Sequence, residues 1–275
     1  MSPTTIWVLA EKELHDALRN RWFLLYTLAF LVLALGLAAL SVAGAGLVGV
    51  ANFGRTAASL VNLVLFMVPL MALTVGAQSL AAEEERHTLT YLLAQPISRA
   101  ELFVGKFLGL ALGLLATLAF GFGLAGLLLV TQGAGDPTAY LILVGLAFLL
   151  ALVMLSIGML ISAWTRRANV AIAIGLFIWL VLILLGDLGM MGAAVAFRLP
   201  AAGLLWTTLT NPLQVFKLAA IANLQSSLEL LGPAGIYAMR TFGNGLDIFL
   251  VGLLALWILL PALFAYLRLA RRNDL

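Results

Sequence analysis

The chain has 275 residues, 64% of them apolar and only 10% charged, with a net charge of +3. A soluble protein of that size could not cover its surface with so few polar groups, so the composition is that of an integral membrane protein. The absence of cysteine excludes disulfides, iron–sulfur clusters and thiolate metal sites.

Residues 1–21 set Glu11, Lys12, Glu13, His15, Asp16, Arg19 and Arg21 opposite Trp7, Ala10, Leu14, Ala17 and Leu18 at helical spacing. They predict an amphipathic helix lying in the membrane interface, with Trp7 and Trp22 at headgroup depth. The segment is too long and too acidic for the n-region of a signal peptide. Six apolar stretches follow that are long enough to cross a bilayer, which takes about 20 helical residues. They lie near 22–42, 60–80, 103–130, 139–163, 168–186 and 247–267. The expected fold is a single all-α transmembrane domain over residues 1–275. Short connections at 131–138 and 164–167 make antiparallel hairpins of the spans beside them. The connection at 187–246 is long and still rather apolar.

With six spans both termini share one side. That side holds Lys12, Arg19, Arg21, Arg86, Arg99, Lys106, Arg166, Arg167, Arg268, Arg271 and Arg272, and the other holds Arg55, Arg198, Lys217 and Arg240. The imbalance predicts cytoplasmic termini and an outward-facing 187–246 loop.

No charged residue falls near the centre of a span, which points away from a proton-driven transporter. Asn62, Thr74 and Gln78 on the second span, with Ser156 and Ser162 on the fourth, either line a cavity or hydrogen-bond between helices. Gly105, Gly109, Gly113, Thr117, Gly121 and Ala125 recur every four residues and predict close helix packing, within one subunit or at a dimer seam. Met67 with Met71, and Met190 with Met191, have the softness for Cu(I), although methionine in a membrane helix is more often packing. No metal site is assigned, and no cofactor is expected on the chain itself.

The long polar interruption is Glu83 to Lys106, EEERHTLTYLLAQPISRAELFVGK. Leu89, Leu92, Leu93 and Pro96 form an apolar stripe. Gln95-Pro96 ends that helix, and Ser98-Arg99-Ala100-Glu101 is a capping box that opens the next one. Gly105-Lys106 lacks the other elements of a phosphate-binding loop, and no catalytic constellation appears. The chain therefore has no energy source of its own. Either a partner docks on the leucine stripe, or the segment rests on lipid or on its own bundle. The run Glu83-Glu84-Glu85 disfavours an anionic leaflet.

This stretch resembles the cytoplasmic loop of ABC-2-type permeases. That loop reads glutamates, Gly-Thr-Leu, Leu-Leu, Pro-x-Ser-Arg and Gly-Lys. Here it is Glu83-Glu84-Glu85-Arg86-His87-Thr88-Leu89, Leu92-Leu93-Ala94-Gln95-Pro96-Ile97-Ser98-Arg99 and Gly105-Lys106, with His87 in place of the usual glycine. Within that family the chain looks most similar to the permease subunits that serve nitrous oxide reductase maturation. The residues behind this are 12–22, 53–60, 92–96, Asn211-Pro212 and Val215-Phe216-Lys217.

The resemblance implies a cytoplasmic coupling helix within 81–102. Its ATPase-coupling residues would be Glu84, Glu85, Arg86, His87, Thr88, Leu89, Tyr91, Leu92, Leu93, Pro96 and Arg99. It also implies a homodimer in the lipid of a bacterial inner membrane, with the 187–246 loop in the periplasm, bound inside to an ATPase that holds ATP and Mg. A copper-binding β-helix protein would sit outside, contacting Arg198, Asn211, Pro212, Phe216, Lys217, Tyr237 and Arg240. Nucleic acid is not expected as a partner. Asn62, Thr74 and Gln78 are the candidates to line a cavity. Two readings follow: a mechanical coupler that passes ATP energy to a periplasmic protein, or an exporter of a small sulfur species, lipid or other apolar molecule. The loop after Asn211-Pro212, with Phe216, Ala219, Ala220, Asn223 and Leu224 on one face, either dips back into the membrane or offers a platform.

Overall fold

The computed structural model describes residues 2–48, 52–88, 97–131, 137–189, 200–223 and 232–271. Among them the regular structure is all helical. The first helix, α1 (Pro3–Arg19), opens on a proline in its first turn and stops at Asn20, whose extended backbone redirects the chain into α2 (Arg21–Val48). Three long helices follow: α3 (Asn52–Glu85), α4 (Arg99–Thr131) and α5 (Pro137–Trp164). Next come α6 (Ala168–Leu184), a π turn at Leu185–Gly189, and the short helices α7 (Ala201–Leu209), α8 (Pro212–Asn223) and α9 (Gly232–Phe242). A 3₁₀ turn at Gly243–Gly245 leads into α10 (Leu246–Ala270).

Five of these helices, α2, α3, α4, α5 and α10, are long and apolar enough to cross a membrane. The stretch expected near 168–186 is a shorter apolar helix of 17 residues. Its end changes to wider π turns at the Gly186-Asp187-Leu188-Gly189 sequence. There the Leu182 carbonyl, which accepts the Leu185 N–H, also accepts the Asn211 amide at 2.7 Å and so ties this helix end to the Asn211 turn.

The ends of the helices sort into two sets. The ends of α3, α5 and α10 meet the starts of α4 and α6, and most described charges gather there. We call this the charged end; α7, α8 and α9 lie at the far end. The helices α3 and α4 have 34 and 33 residues. At 1.5 Å per residue each is about 50 Å long, well over the roughly 30 Å of a hydrocarbon core. Their surplus turns carry the Glu83 and Lys106 regions.

The core is built on α5, which packs along α3 on one side and α10 on another. The α3–α5 crossing is closest at Gly76 and Gly158. A Cβ on Gly158 would stand 2.7 Å from the Leu73 carbonyl oxygen, and one on Gly76 the same distance from the Leu155 oxygen. One turn on, the Ser162 hydroxyl oxygen accepts the N–H groups of Leu80 and Ala81 at 2.9 and 2.8 Å. Helix-to-helix bonding is thus the role of Ser162, whereas Ser156 bonds back to Leu152 of its own helix.

The small-residue stripe of α4 is covered from within the chain. Gly105 and Gly109 lie against Ile6, Leu9, Ala10 and Glu13 of α1, and Gly121 lies under the Phe30 ring of α2. Thr117 meets Thr27 at 3.0 Å. Packing within one subunit therefore accounts for it.

The 187–246 connection is mostly helix where it is described. As the sequence suggests, a helix follows Asn211-Pro212, with Asn211 accepting the Leu213 N–H at 3.0 Å as its cap. This α8 is not a surface element. Val215 and Phe216 are fully buried, and the helix packs against α3, α5, α7 and α10.

Candidate coupling site

The stretch between α3 and α4 starts where α3 ends, at Glu85, and finishes where α4 begins, at Arg99. Leu89, Tyr91, Leu92, Leu93 and Pro96 lie outside the described residues. The two flanks are described, and each is tied into the bundle by specific bonds.

On the incoming flank three consecutive glutamates hold three different partners. Glu83 meets the Lys106 ammonium of α4 at 2.7 Å. Glu84 pairs with the Arg166 guanidinium at the α5–α6 joint, 3.4 Å away. Glu85 accepts the Ala168 N–H at 2.9 Å, satisfying one of the open donors at the start of α6. All three glutamates are thus intramolecular ties in the fold.

Lys106 is 1% exposed, the most buried charge among the described residues. Its Nζ sits 2.7 Å from Glu83 and 2.7 Å from Glu13 of α1, so one ammonium joins α1, α3 and α4. Lys12 stands nearby, 3.4 Å from Glu13, 3.8 Å from Glu83 and 3.7 Å from Asp16. Partial burial would lower the pKa of Lys12, but the Glu13, Glu83 and Asp16 carboxylates outweigh it and hold the group above its ordinary 10.5.

The α3 helix closes with the His87 N–H donating to the Glu84 carbonyl at 3.0 Å and with His87 at a φ of +57°. That left-handed conformation is where a helix end favours glycine. The residue that departs from the ABC-2 pattern thus sits where glycine has a physical role: it ends α3. Thr88 bonds back to the Glu83 carbonyl at 3.1 Å, and Arg86 lines the cavity described below.

On the outgoing flank the capping box forms as its sequence dictates. The Glu101 N–H donates to Ser98 Oγ at 3.2 Å and the Ser98 N–H donates to Glu101 Oε2 at 2.9 Å. Glu101 also accepts the Ser2 N–H, pinning the start of α1 to the start of α4. The Arg99 guanidinium donates to the Leu269 and Ala270 carbonyls, at 3.2 and 2.6 Å, and caps α10. Nearby, Arg268 of α10 lies over the Trp164 ring at the end of α5.

Between α1, α3 and α4 a cleft of about 810 Å³ opens at the charged end. Lys12, Asp16, Arg19, Glu83, Arg86 and Gln78 face it, with Phe23, Val75 and Leu110 as apolar wall. Of the three candidate cavity residues only Gln78 lines it. Thr74, one turn deeper, is buried and bonded to Leu70 and Met71 of its own helix, and Asn62 is exposed near the other end of α3. Met71 is packed in the apolar core with Met67 against it, and Met190 and Met191 lie outside the described residues.

At the far end the structure separates the candidate partner residues. Asn211, Pro212 and Phe216 are buried, Lys217 is half-buried, and Tyr237 and Arg240 are exposed on α9. Arg198 lies outside the described residues.

The Glu13–Lys106 pair was not read from sequence. The available signal was Glu13 standing in register with Ala10 and Ala17, a charge in the small-residue stripe that α1 presents to α4.

Residues 7–274 match the family described as ABC-2 family transporter protein. Two similar relatives carry the description "Probable ABC transporter permease protein NosY". The one from Pseudomonas aeruginosa is 34% identical over 229 residues, 81% of this chain and 83% of the relative. The one from Stutzerimonas stutzeri is 32% identical over 240 residues, 85% and 87% of the two chains. The chain belongs to the ABC-2 transporter family and is a permease subunit with homology to NosY. Permeases of this family lack an ATPase site of their own and work with an ATPase subunit.

Proposed function

We propose that this permease crosses the inner membrane six times, through α2–α6 and α10, with α1 at the interface and the charged end in the cytoplasm. The alternating direction of the helices supports six passes: α6 starts at the charged end, and α10 returns to it. Counting the π turn, α6 runs for about 22 residues, a full crossing. The basic residues at that end support the orientation.

On this reading two copies of the chain pair in the membrane, and residues 81–102 of each receive a NosF-type ATPase. ATP hydrolysis there acts through the permease on a periplasmic NosD-type copper-binding protein and so serves assembly of the copper centres of nitrous oxide reductase. The observation that carries it is the anchoring of both flanks of the 86–98 stretch to the ends of α1, α4, α5, α6 and α10. A push on that stretch is delivered to the whole bundle. The alternative, export of a small sulfur species, lipid or other apolar molecule, would want a continuous polar path. The cleft takes in Gln78 but neither Thr74 nor Asn62, which favours mechanical coupling.

The test is Leu92→Asp or Leu93→Asp in the complex expressed with its ATPase. The permease is expected to insert and fold normally and to lose the ATPase on purification. Retention of a normal amount of ATPase would refute docking at this stretch.

A further inference from the structure

We infer that Lys106 is a positioning residue that makes α1 move with the coupling stretch, by holding Glu13 of α1 and Glu83 of α3 on one ammonium. The inference rests on the coupling role proposed for 86–98 and adds an output to it. Three observations lead here. First, both flanks of that stretch converge on Lys106: Glu83 lies just before it in the chain, Lys106 just after it, and they meet at 2.7 Å.

Second, apart from these charges the α1–α4 contact is close and apolar, with Leu9 packed on Leu102. It runs over Gly105 and Gly109, with Leu9, Ala10, Glu13 and Ala17 as the buried residues of α1. The glycines let the helices approach closely, and the apolar contact they allow is non-directional. The Glu13–Lys106 bond at 2.7 Å, together with the tie from Ser2 to Glu101, fixes α1 in register on α4. Third, the ammonium is nearly inaccessible, and two of its three N–H donors go to carboxylates on two different helices. A buried, fully placed charge sets register more sharply than apolar contact does, the best-attested use of such groups.

The experiment uses the permease with its ATPase in lipid nanodiscs. The chain has no cysteine, so introduced pairs are its only thiols. One spin-label pair, His15→Cys with Thr241→Cys, reports α1 against the far end. A second, Arg167→Cys with Thr241→Cys, reports the α5–α6 joint. Distances are measured without nucleotide and with ATP under blocked hydrolysis. In the parent both pairs are expected to shift.

In the neutral variant E13Q/E83Q/K106M, with the Ser2–Glu101 tie still in place, the His15 shift is expected to fall about two-fold or more while the Arg167 shift persists. Removing all three charges together leaves no buried unpaired ion, so the fold is expected to survive. If that variant does not fold, Glu13→Leu alone removes the acceptor on α1 and keeps the Lys106–Glu83 pair. An undiminished His15 shift in a folded variant overturns the inference and leaves the coupling role standing. If neither pair shifts in the parent with ATPase bound, the coupling role falls and takes the inference with it.

Discussion

The α3–α5 crossing gives the sharpest quantitative test of the packing. Consider Gly158→Ala. The new methyl would meet the Leu73 carbonyl oxygen at 2.7 Å, and the Ala77 nitrogen and Gly76 Cα at 3.0 Å. All three are backbone atoms, so no side chain can swing away. The helices must part by roughly 0.5–1 Å, a gap that forfeits a quarter to a half of the dispersion energy of each contact it opens. The Ser162 bonds to Leu80 and Ala81, now 2.9 and 2.8 Å, stretch with it. Interhelical bonds of that kind are worth about 0.6 kcal/mol each on average.

Overpacking of a tight core costs about 1–3 kcal/mol, and the two effects together place Gly158→Ala in the upper part of that range. The control is Gly145→Ala on the same helix, where nothing stands within 4 Å of the new methyl. Relief of glycine's backbone entropy makes it neutral or stabilising by about 0.5–1 kcal/mol. Thermal unfolding in one detergent is the assay. At roughly 2–4 °C per kcal/mol the two variants should separate by several degrees, with Gly158→Ala below the parent. Equal melting temperatures for the two would refute the claim that backbone contact at Gly158 holds α3 to α5.

Two further predictions concern the flanks of the coupling stretch. His87→Gly relieves a left-handed residue and should stabilise the end of α3 by about 1 kcal/mol, visible as a higher melting temperature. A lower one would mean the imidazole has a bonding role. Arg99→Gln removes the cap from the Leu269 and Ala270 carbonyls and should raise hydrogen exchange in the last turn of α10 while leaving α5 unchanged. Unchanged exchange in α10 would show that another group satisfies that helix end.

How much of this was legible in the sequence varied with the range of the interaction. The Ser98–Glu101 box closes within three residues, so its spacing alone announced it. The small-residue stripe of α4 announced close packing, but its partners, α1 and α2, became visible only in three dimensions. Glu13 and Lys106 are 93 positions apart in the chain, and each looks like an ordinary solvated charge until the fold joins them. The same holds for Glu83, Glu84 and Glu85, whose partners lie in two other parts of the chain, at Lys106 and at Arg166 to Ala168. The burial of α8 was hidden for another reason. Its apolar face suits lipid, a partner or the core equally, and composition does not choose among them.

The insertion of α8 makes the bundle unequal along its axis. At the far end a twelve-residue helix fills the space among α3, α5 and α10, and its Phe216 is sealed from solvent. At the charged end α1, α3 and α4 enclose an open cleft. Close-packed protein has low compressibility, whereas a cleft deforms by hinge motion of its walls. Deformation of such a body is expected at the charged end rather than at the packed far end, and there the Lys106 ties to Glu13 and Glu83 set how far the walls of the cleft can part.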